Sequence, residues 1–201
     1  MNKILNNLPK EIPVFPLSNF IIFPKTTVPL NIFEPRYIEM VDDAMKENRM
    51  IGMIQPKNSN QNIPTLYDVG CVGKITSFNE TEDGRYLISL QGKKRFRYLK
   101  ELDPGKRFRI LNVEIIEDSN TNTIFSENQK SELLNKYKNY IKIKNINLNL
   151  DEIDKIEFSQ LVKFMAMISP FNDIDKQVLL ESKNMNEFYD RLYSIIELET
   201  S

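Results

Sequence analysis

The hydrophobic period of this chain changes once, near residue 118, and that change predicts a β-rich part followed by a helical one. Before it, apolar residues alternate with polar ones or come in short pieces broken by proline. Ile12-Pro13-Val14-Phe15-Pro16-Leu17 and Phe20-Ile21-Ile22-Phe23-Pro24 are such pieces. Proline cannot donate to a ladder, so they suit strand ends, edges and turns. Pro35 fits a first helical position, and Ile38, Val41, Ala44 and Met45 recur at helical spacing behind it. Glu39, Asp42, Asp43, Lys46 and Glu47 take the other side of that helix. Met50 to Ile54 reads as a short strand and Lys57 to Pro64 as a polar loop. Strands are then expected at Val69 to Phe78, Tyr86 to Gln91, Phe96 to Leu102 and Phe108 to Ile116, with Glu82-Asp83-Gly84 turning the chain between the first two. Tyr86, Ile88 and Leu90 alternate with Arg85 and Ser89, and Phe96 and Tyr98 with Arg95 and Arg97, as half-buried strands do. Four strands in a row after a single helix suggest a small, strongly curved, barrel-like sheet.

Asp118 to Thr123 is a linker by composition, and from Ser126 the period is helical. Ser126 and Gln129 form a capping-box pattern ahead of Leu133, Leu134, Tyr137, Tyr140 and Ile141. Asp151 is expected to cap a second helix with Ile153, Ile156, Leu161, Phe164, Met165 and Ile168 on its apolar face, ending near Pro170. Asp173 starts a short third helix, and Asn184 with Glu187 repeats the capping box before Phe188, Leu192, Ile195 and Ile196. The expected division is 1–118 for the β-rich domain and 119–201 for a helical subdomain, with 119–125 as linker.

What is missing narrows the chemistry. The 201 residues contain no histidine, which removes the usual neutral-pH base, the Ser-His and Cys-His pairs and most catalytic zinc sites. A lone cysteine, Cys71, cannot form an intramolecular disulfide. Met1 to Lys10 has no signal-peptide core, and the longest apolar run, Phe164 to Ile168, is far short of the ~20 residues of a membrane span. A cytoplasmic location is the expectation. With 27 basic and 28 acidic side chains the net charge is -1, which gives no global pull toward nucleic acid or an anionic membrane.

Ile12-Pro13-Val14-Phe15-Pro16-Leu17, Phe23-Pro24 and Pro29-Leu30-Asn31-Ile32-Phe33-Glu34-Pro35-Arg36-Tyr37 together resemble the opening of the Lon protease N-terminal domain. Leu66-Tyr67-Asp68-Val69-Gly70-Cys71-Val72-Gly73-Lys74-Ile75 is similar to that family's second block. Asp83-Gly84-Arg85-Tyr86 and Leu90-Gln91-Gly92-Lys93-Lys94-Arg95-Phe96-Arg97 are similar to its third. Lys176-Gln177-Val178-Leu179-Leu180-Glu181 and Pro170 resemble the tail of stand-alone bacterial forms that lack the ATPase and protease domains. The resemblance is strongest over residues 11 to 117. It implies an α+β fold, a PUA-like β pseudo-barrel with one inserted helix followed by a C-terminal helical bundle. It also implies substrate recognition and help in hexamer assembly, as this domain provides within the full protease. The family usually has glycine where this chain has Lys25, and often threonine where it has Cys71, so the turn after Phe23-Pro24 is a point of departure.

Several local patterns invite a chemical reading. Gly70 to Thr76 has the look of a phosphate loop, but Asp68 and Ile75 stand where GxxxxGK[ST] needs other residues, so a strand with two close-packed glycines is expected. Cys71 reads as a buried, inert thiol. Lys93, Lys94, Arg95, Arg97, Lys100, Lys106, Arg107 and Arg109 form a basic stretch with Phe96, Tyr98 and Phe108 between them. Its RNA-binding version would use Lys94, Arg95, Arg97, Arg107 and Arg109; the plainer version is a solvated strand face with aromatics turned inward. Ile32, Phe33, Arg36 and Tyr37 at the helix entrance are the candidate peptide-binding residues, set against a structural role in closing the barrel. Met40, Met45, Met50, Met53, Met165 and Met167 suit core filling or an adaptable surface.

The reading is a non-enzymatic module, free of cofactor and metal, that binds client or partner polypeptides through its β-rich part and has a link to ATP-dependent proteolysis. An RNA-binding protein and a self-associating scaffold are the alternatives.

Overall fold

The structure, a computed structural model, describes residues 8–57, 64–103, 105–117, 123–148 and 156–200. Its contacts divide the chain into two compact units, Met1–Glu117 and Asp118–Ser201.

The first unit holds strands β1 (Glu11–Pro16) and β2 (Thr27–Ile32), helix α1 (Pro35–Lys46), and strands β3 (Met50–Ile54), β4 (Val69–Glu80), β5 (Tyr86–Leu102) and β6 (Arg109–Ile116). They form one mixed sheet in the order β2-β5-β4-β3-β1-β6, with β6 pairing back onto β5. Hydrogen-bonded pairing therefore runs in a circuit, β5-β4-β3-β1-β6-β5, and β2 lies outside it as an extra edge. Only β1 and β3 are parallel, Val14 standing opposite Gly52; the other ladders are antiparallel. Inside sit Ile12, Val14, Met50, Ile54, Leu66, Val72, Phe96, Leu111 and Val113.

Two expected strands, Tyr86 to Gln91 and Phe96 to Leu102, are a single strand of 17 residues. Its length follows from its neighbours. On the side away from β4, Tyr86 to Gln91 pairs with β2, and Arg95 to Leu102 pairs with β6. Between these partners the turn at Phe23 to Thr26 docks on Gly92: the Lys25 N–H donates to the Gly92 carbonyl at 2.9 Å, and the Gly92 N–H donates to the Thr26 carbonyl at 2.8 Å. A Cβ at Gly92 would lie 2.1 Å from the Phe23 carbonyl oxygen, so no side chain fits there. Phe20 to Pro24 forms no strand and leads into the turn, one of the placements that its proline-bounded apolar run allows. Ile21, Ile22 and Phe23 are buried, and the edge strand comes later, at β2.

A tight turn forms at the position where this chain has Lys25. The Thr26 N–H donates to the Phe23 carbonyl at 3.1 Å, and Lys25 takes φ 71 behind Pro24, the pattern of a type II turn. A lysine there carries the Cβ clash of the left-handed region.

The second unit holds α2 (Glu127–Ile143), α3 (Phe158–Ile168), α4 (Asp173–Leu180) and α5 (Met185–Thr200). The capping box at Ser126 and Gln129 is complete in both directions. At α5 the pattern is half met: Asn184 accepts from the Glu187 N–H at 3.0 Å, but the Glu187 carboxylate accepts from the Lys183 N–H. Helix α3 is shorter than expected and is capped by Glu157; Asp151 and Ile153 lie outside the described residues. Ile156 and Phe164, assigned to its apolar face, are exposed. Leu133, Tyr137, Tyr140, Leu161, Met165, Phe171, Leu192 and Ile196 make this unit's core.

Two stability outcomes follow. In urea titrations, Lys25→Gly is expected to raise stability by about 0.5–1 kcal/mol, strain relief partly offset by the freer unfolded chain. Gly92→Ala is expected to lower it by roughly 2–3 kcal/mol or more, as overpacking against fixed backbone does. Separately, burial pushes the Tyr140 phenol up to about 12, with Glu199 adding to the rise. An unfolded phenol titrates near ~10. The stabilisation is thus fully present below that value and is lost as pH climbs from there toward the native one. The urea midpoint should fall above pH ~10, and Tyr140→Phe should reduce that fall.

Candidate functional site

Glu34 precedes α1 in extended conformation, and its carbonyl accepts from the N–H groups of Tyr37 and Ile38 at 2.9 and 3.0 Å. Pro35 occupies the first helical position, where a missing N–H costs nothing. The Glu34 side chain does not cap the helix. It turns to Arg36, whose Nη2 lies 2.8 Å away, and the guanidinium stands 4.6 Å above the Tyr37 ring. Tyr37 packs on Phe15 with 4.3 Å between centroids, and burial raises its phenol pKa.

The four residues proposed for peptide contact thus separate. Ile32 and Tyr37 belong to the core, whereas Phe33 is 66% exposed and Arg36 lies at the surface. Phe33, Pro35 and Ile38 line a shallow cleft of about 470 Å³ along α1. Glu39, Asp42, Asp43, Lys46, Gly84 and Arg107 complete its wall. Four residues of the polar side of the helix, Glu39, Asp42, Asp43 and Lys46, form the rim of this cleft.

The rim is internally paired. Lys106 donates to Asp43 at 2.9 Å, Lys46 to the same carboxylate at 3.4 Å, and Arg107 stands 3.5 Å from Glu39. The Lys106 hydrogen bond holds the Asp43 carboxyl below its usual range. Tyr86 donates its phenol proton to Asp42 at 2.9 Å, and that bond raises the phenol pKa. What remains is an apolar floor inside a nearly neutral ring of charges.

The basic stretch is answered in the same way. Lys94 pairs with Glu117 at 2.6 Å, Arg97 with Glu114 at 3.4 Å, and Arg109 grips Glu101 through two nitrogens at 2.6 and 2.8 Å. Arg95 is buried. Phe96 and Phe108 are buried and Tyr98 packs against the core, so these rings do not form an exposed stacking platform. Glu114 and Glu117 come from β6 and its end, so a count of charges within the stretch could not find them.

Cys71 is fully buried with its Sγ 3.6 Å from the Val72 carbonyl oxygen. Among the described residues no three Cys, Asp or Glu side chains gather as a metal site, and no helix is long and apolar enough to cross a membrane.

Residues 11–198 match the family model described as ATP-dependent protease La (LON) substrate-binding domain. The chain is 29% identical over 197 residues to the Lon protease of Buchnera aphidicola subsp. Acyrthosiphon pisum, covering 94% of this chain and 25% of that protein. It is 27% identical over 203 residues to the Lon protease of Dictyoglomus thermophilum, covering 96% and 25%. The chain therefore spans about a quarter of the length of these relatives. Among solved structures, a Lon N-terminal domain protein from Xanthomonas campestris superposes with a TM-score of 0.63 at 18% identity, covering 93% of this chain and 97% of that one. The N-terminal domain of the Mycobacterium avium complex Lon protease gives 0.64 at 15% identity, covering 93% and 98%. These likenesses establish a shared α+β fold.

With Lys94, Arg97, Lys106, Arg107 and Arg109 paired to carboxylates and its rings inward, the basic stretch should give only weak, sequence-independent RNA affinity at physiological salt. Filter binding across a salt series checks this. A steep slope in log salt that Arg97→Ala flattens, in a folded variant, would mean the opposite.

Proposed function

The chain belongs to the ATP-dependent protease La (LON) substrate-binding domain family, and from that premise we propose that it is a non-catalytic module that recognises client polypeptides. The observation that carries this reading is the family match over residues 11–198. The cleft along α1 supports it. An apolar floor within a ring of paired charges suits an apolar segment of an unfolded chain and offers no net charge to select against one.

Phe33 is the anchor of this reading. A large ring left exposed beside a strand end does little for the core, and aromatic side chains often dominate binding energy when a partner covers them. Arg36, held by Glu34 and laid over Tyr37, fixes the neighbouring edge of the contact. The ligands are the kind of chain a proteolytic system collects, polypeptides with exposed apolar segments, and the link to ATP-dependent proteolysis rests on the relatives. No catalytic step is assigned to this chain. We assign client contact to the β-rich unit because Phe33 stands exposed on the α1 cleft there; the helical unit buries Leu133, Tyr137, Leu161, Met165, Leu192 and Ile196 in its own core but also leaves Ile143, Phe164 and Leu198 exposed.

The test is titration of the full chain with a reduced, carboxymethylated protein that stays unfolded and soluble. Saturable binding is expected, with Phe33→Ala weakening it about tenfold, roughly 1.4 kcal/mol, and leaving the urea midpoint almost unchanged. Absence of binding to the unfolded protein would remove the reading.

A further inference from the structure

We propose that the outer half of β4, Thr76 to Glu80, is an open sheet edge that receives an extended client strand with an apolar and a basic residue two positions apart. The inference rests on the client-recognition reading and names the chemistry of the segment received.

β4 pairs with β3 only as far as Lys74, and the Arg49 carbonyl takes the N–H of Ile75 as the last contact on that side. The ladder to β5 shifts register at Thr76; among the described residues Ser77 to Glu80 then pairs with β5 alone, and all five residues from Thr76 to Glu80 are exposed. The hairpin closes where the Thr81 N–H donates to the Arg85 carbonyl at 2.9 Å. Antiparallel pairs alternate between hydrogen-bonded and open, so Asn79 with Leu87 and Ser77 with Ser89 exchange ladder bonds. The N–H and C=O groups of Phe78 and Glu80 then point away from β5. They form a row of unused backbone donors and acceptors, the feature to which an extended peptide adds as a strand.

The opposite edge of the same strip is blunted. By the same alternation Pro29, opposite Ser89, turns its nitrogen outward, so β2 lacks a donor at its centre. Thr76 to Glu80 has neither proline nor a basic side chain to discourage pairing. Protection of one edge but not the other singles out β4.

Side chains give the specificity. Phe78 and Glu80 lie two apart and share a face. Phe78 packs edge-on against Tyr86, centroids 4.8 Å apart, yet is 38% exposed. Tyr86 in turn bonds Asp42 in the wall of the α1 cleft, so the edge continues the surface already assigned to clients. Glu80 and the neighbouring Glu82 are exposed, and among the described residues neither forms an ion pair. An arriving strand would cover Phe78 with an apolar side chain and meet Glu80 with a lysine or arginine two positions on.

The probe is a fluorescein-labelled eight-residue peptide of alternating threonine and valine with one valine-threonine-lysine run, followed by anisotropy with the full chain. Saturable binding is expected. N-methylation of alternate probe residues on the edge-facing side should weaken it at least tenfold, and lysine to glutamate in the probe about fivefold. Phe78→Pro removes an outward donor while leaving the ladder to β5 complete, and should weaken binding at least tenfold. If that variant does not fold, Glu80→Lys on the exposed edge should reverse the preference between lysine and glutamate probes. Probe binding unaffected by N-methylation, with Phe33→Ala still weakening capture of the unfolded protein, overturns the edge and leaves the client reading standing. Failure of both probe and unfolded protein to bind overturns both. A dimer that Phe78→Pro dissolves, with no peptide binding, overturns the proposal in favour of a second copy at the edge.

Discussion

The first unit is organised by one strand that changes partner halfway. β5 pairs with β4 along one side, while on the other it gives its first half to β2 and its second half to β6. The exchange leaves a gap at Gly92, which the backbone of the Phe23–Thr26 turn fills. Because β6 joins β5 only beyond that point, the ladder can return on itself through β1 and β3. The interior so formed is filled from the same strand by Phe96, fully buried, and β4 makes room for it: a Cβ at Gly70 would stand 2.5 Å from the Phe96 ring. Closing the circuit in this way leaves two loose ends, the edge of β2 and the outer half of β4, and both lie at the end of the unit where α1 begins.

Much of this organisation was readable because it is local. Pro35 marks the start of α1, Ser126 and Gln129 cap α2, and Glu82-Asp83-Gly84 turns the β4–β5 hairpin, each through chemistry spanning three or four residues. The misreadings share a cause. Gly92-Lys93-Lys94 looks like a break because its continuity depends on Phe23 to Thr26, some 70 residues earlier in sequence. Phe20 to Pro24 suits a strand end, an edge or a turn by its apolar, proline-bounded run, and only packing selects among them. Its burial comes from serving as the plug at Gly92, while Thr27–Ile32 takes the ladder. Phe164 and Ile156 follow a helical period closely enough to be counted as core, and only packing shows that they face out.

The site was legible in part for the same reason. The run from Ile32 to Tyr37 pointed to the segment that borders the α1 cleft, but alternation at a strand end followed by a helix start does not say which residues point inward. Phe33 is the exposed one, and Ile32 and Tyr37 are held by the core. The partners of the rim were invisible: Asp43 and Glu39 meet Lys106 and Arg107 across more than 60 residues. Read alone, one set is the polar side of a helix and the other belongs to a basic stretch whose alternatives were an RNA surface and a solvated strand face. Together they cancel, and the cancellation turns two misleading charge patterns into one nearly neutral cleft.

That cancellation also bears on how the cleft can work. Ion pairs between exposed side chains contribute little to stability, since water screens the charges and ordering long side chains costs entropy. Lys106–Asp43 and Arg107–Glu39 are of this kind, on a short connection between β5 and β6. They set the resting position of that connection beside α1 without fixing it rigidly. The cleft floor is the opposite case, because Phe33 and Pro35 stand between β2 and α1, both anchored in the core through Ile32, Tyr37 and Met40. Under the proposed reading, an apolar floor anchored in the core with a wall that yields at little cost would tolerate variation in a bound segment's flanks while still demanding an apolar residue at its centre. The client-recognition role we propose would need that division, and here it follows from where the core ends and the solvated ion pairs begin.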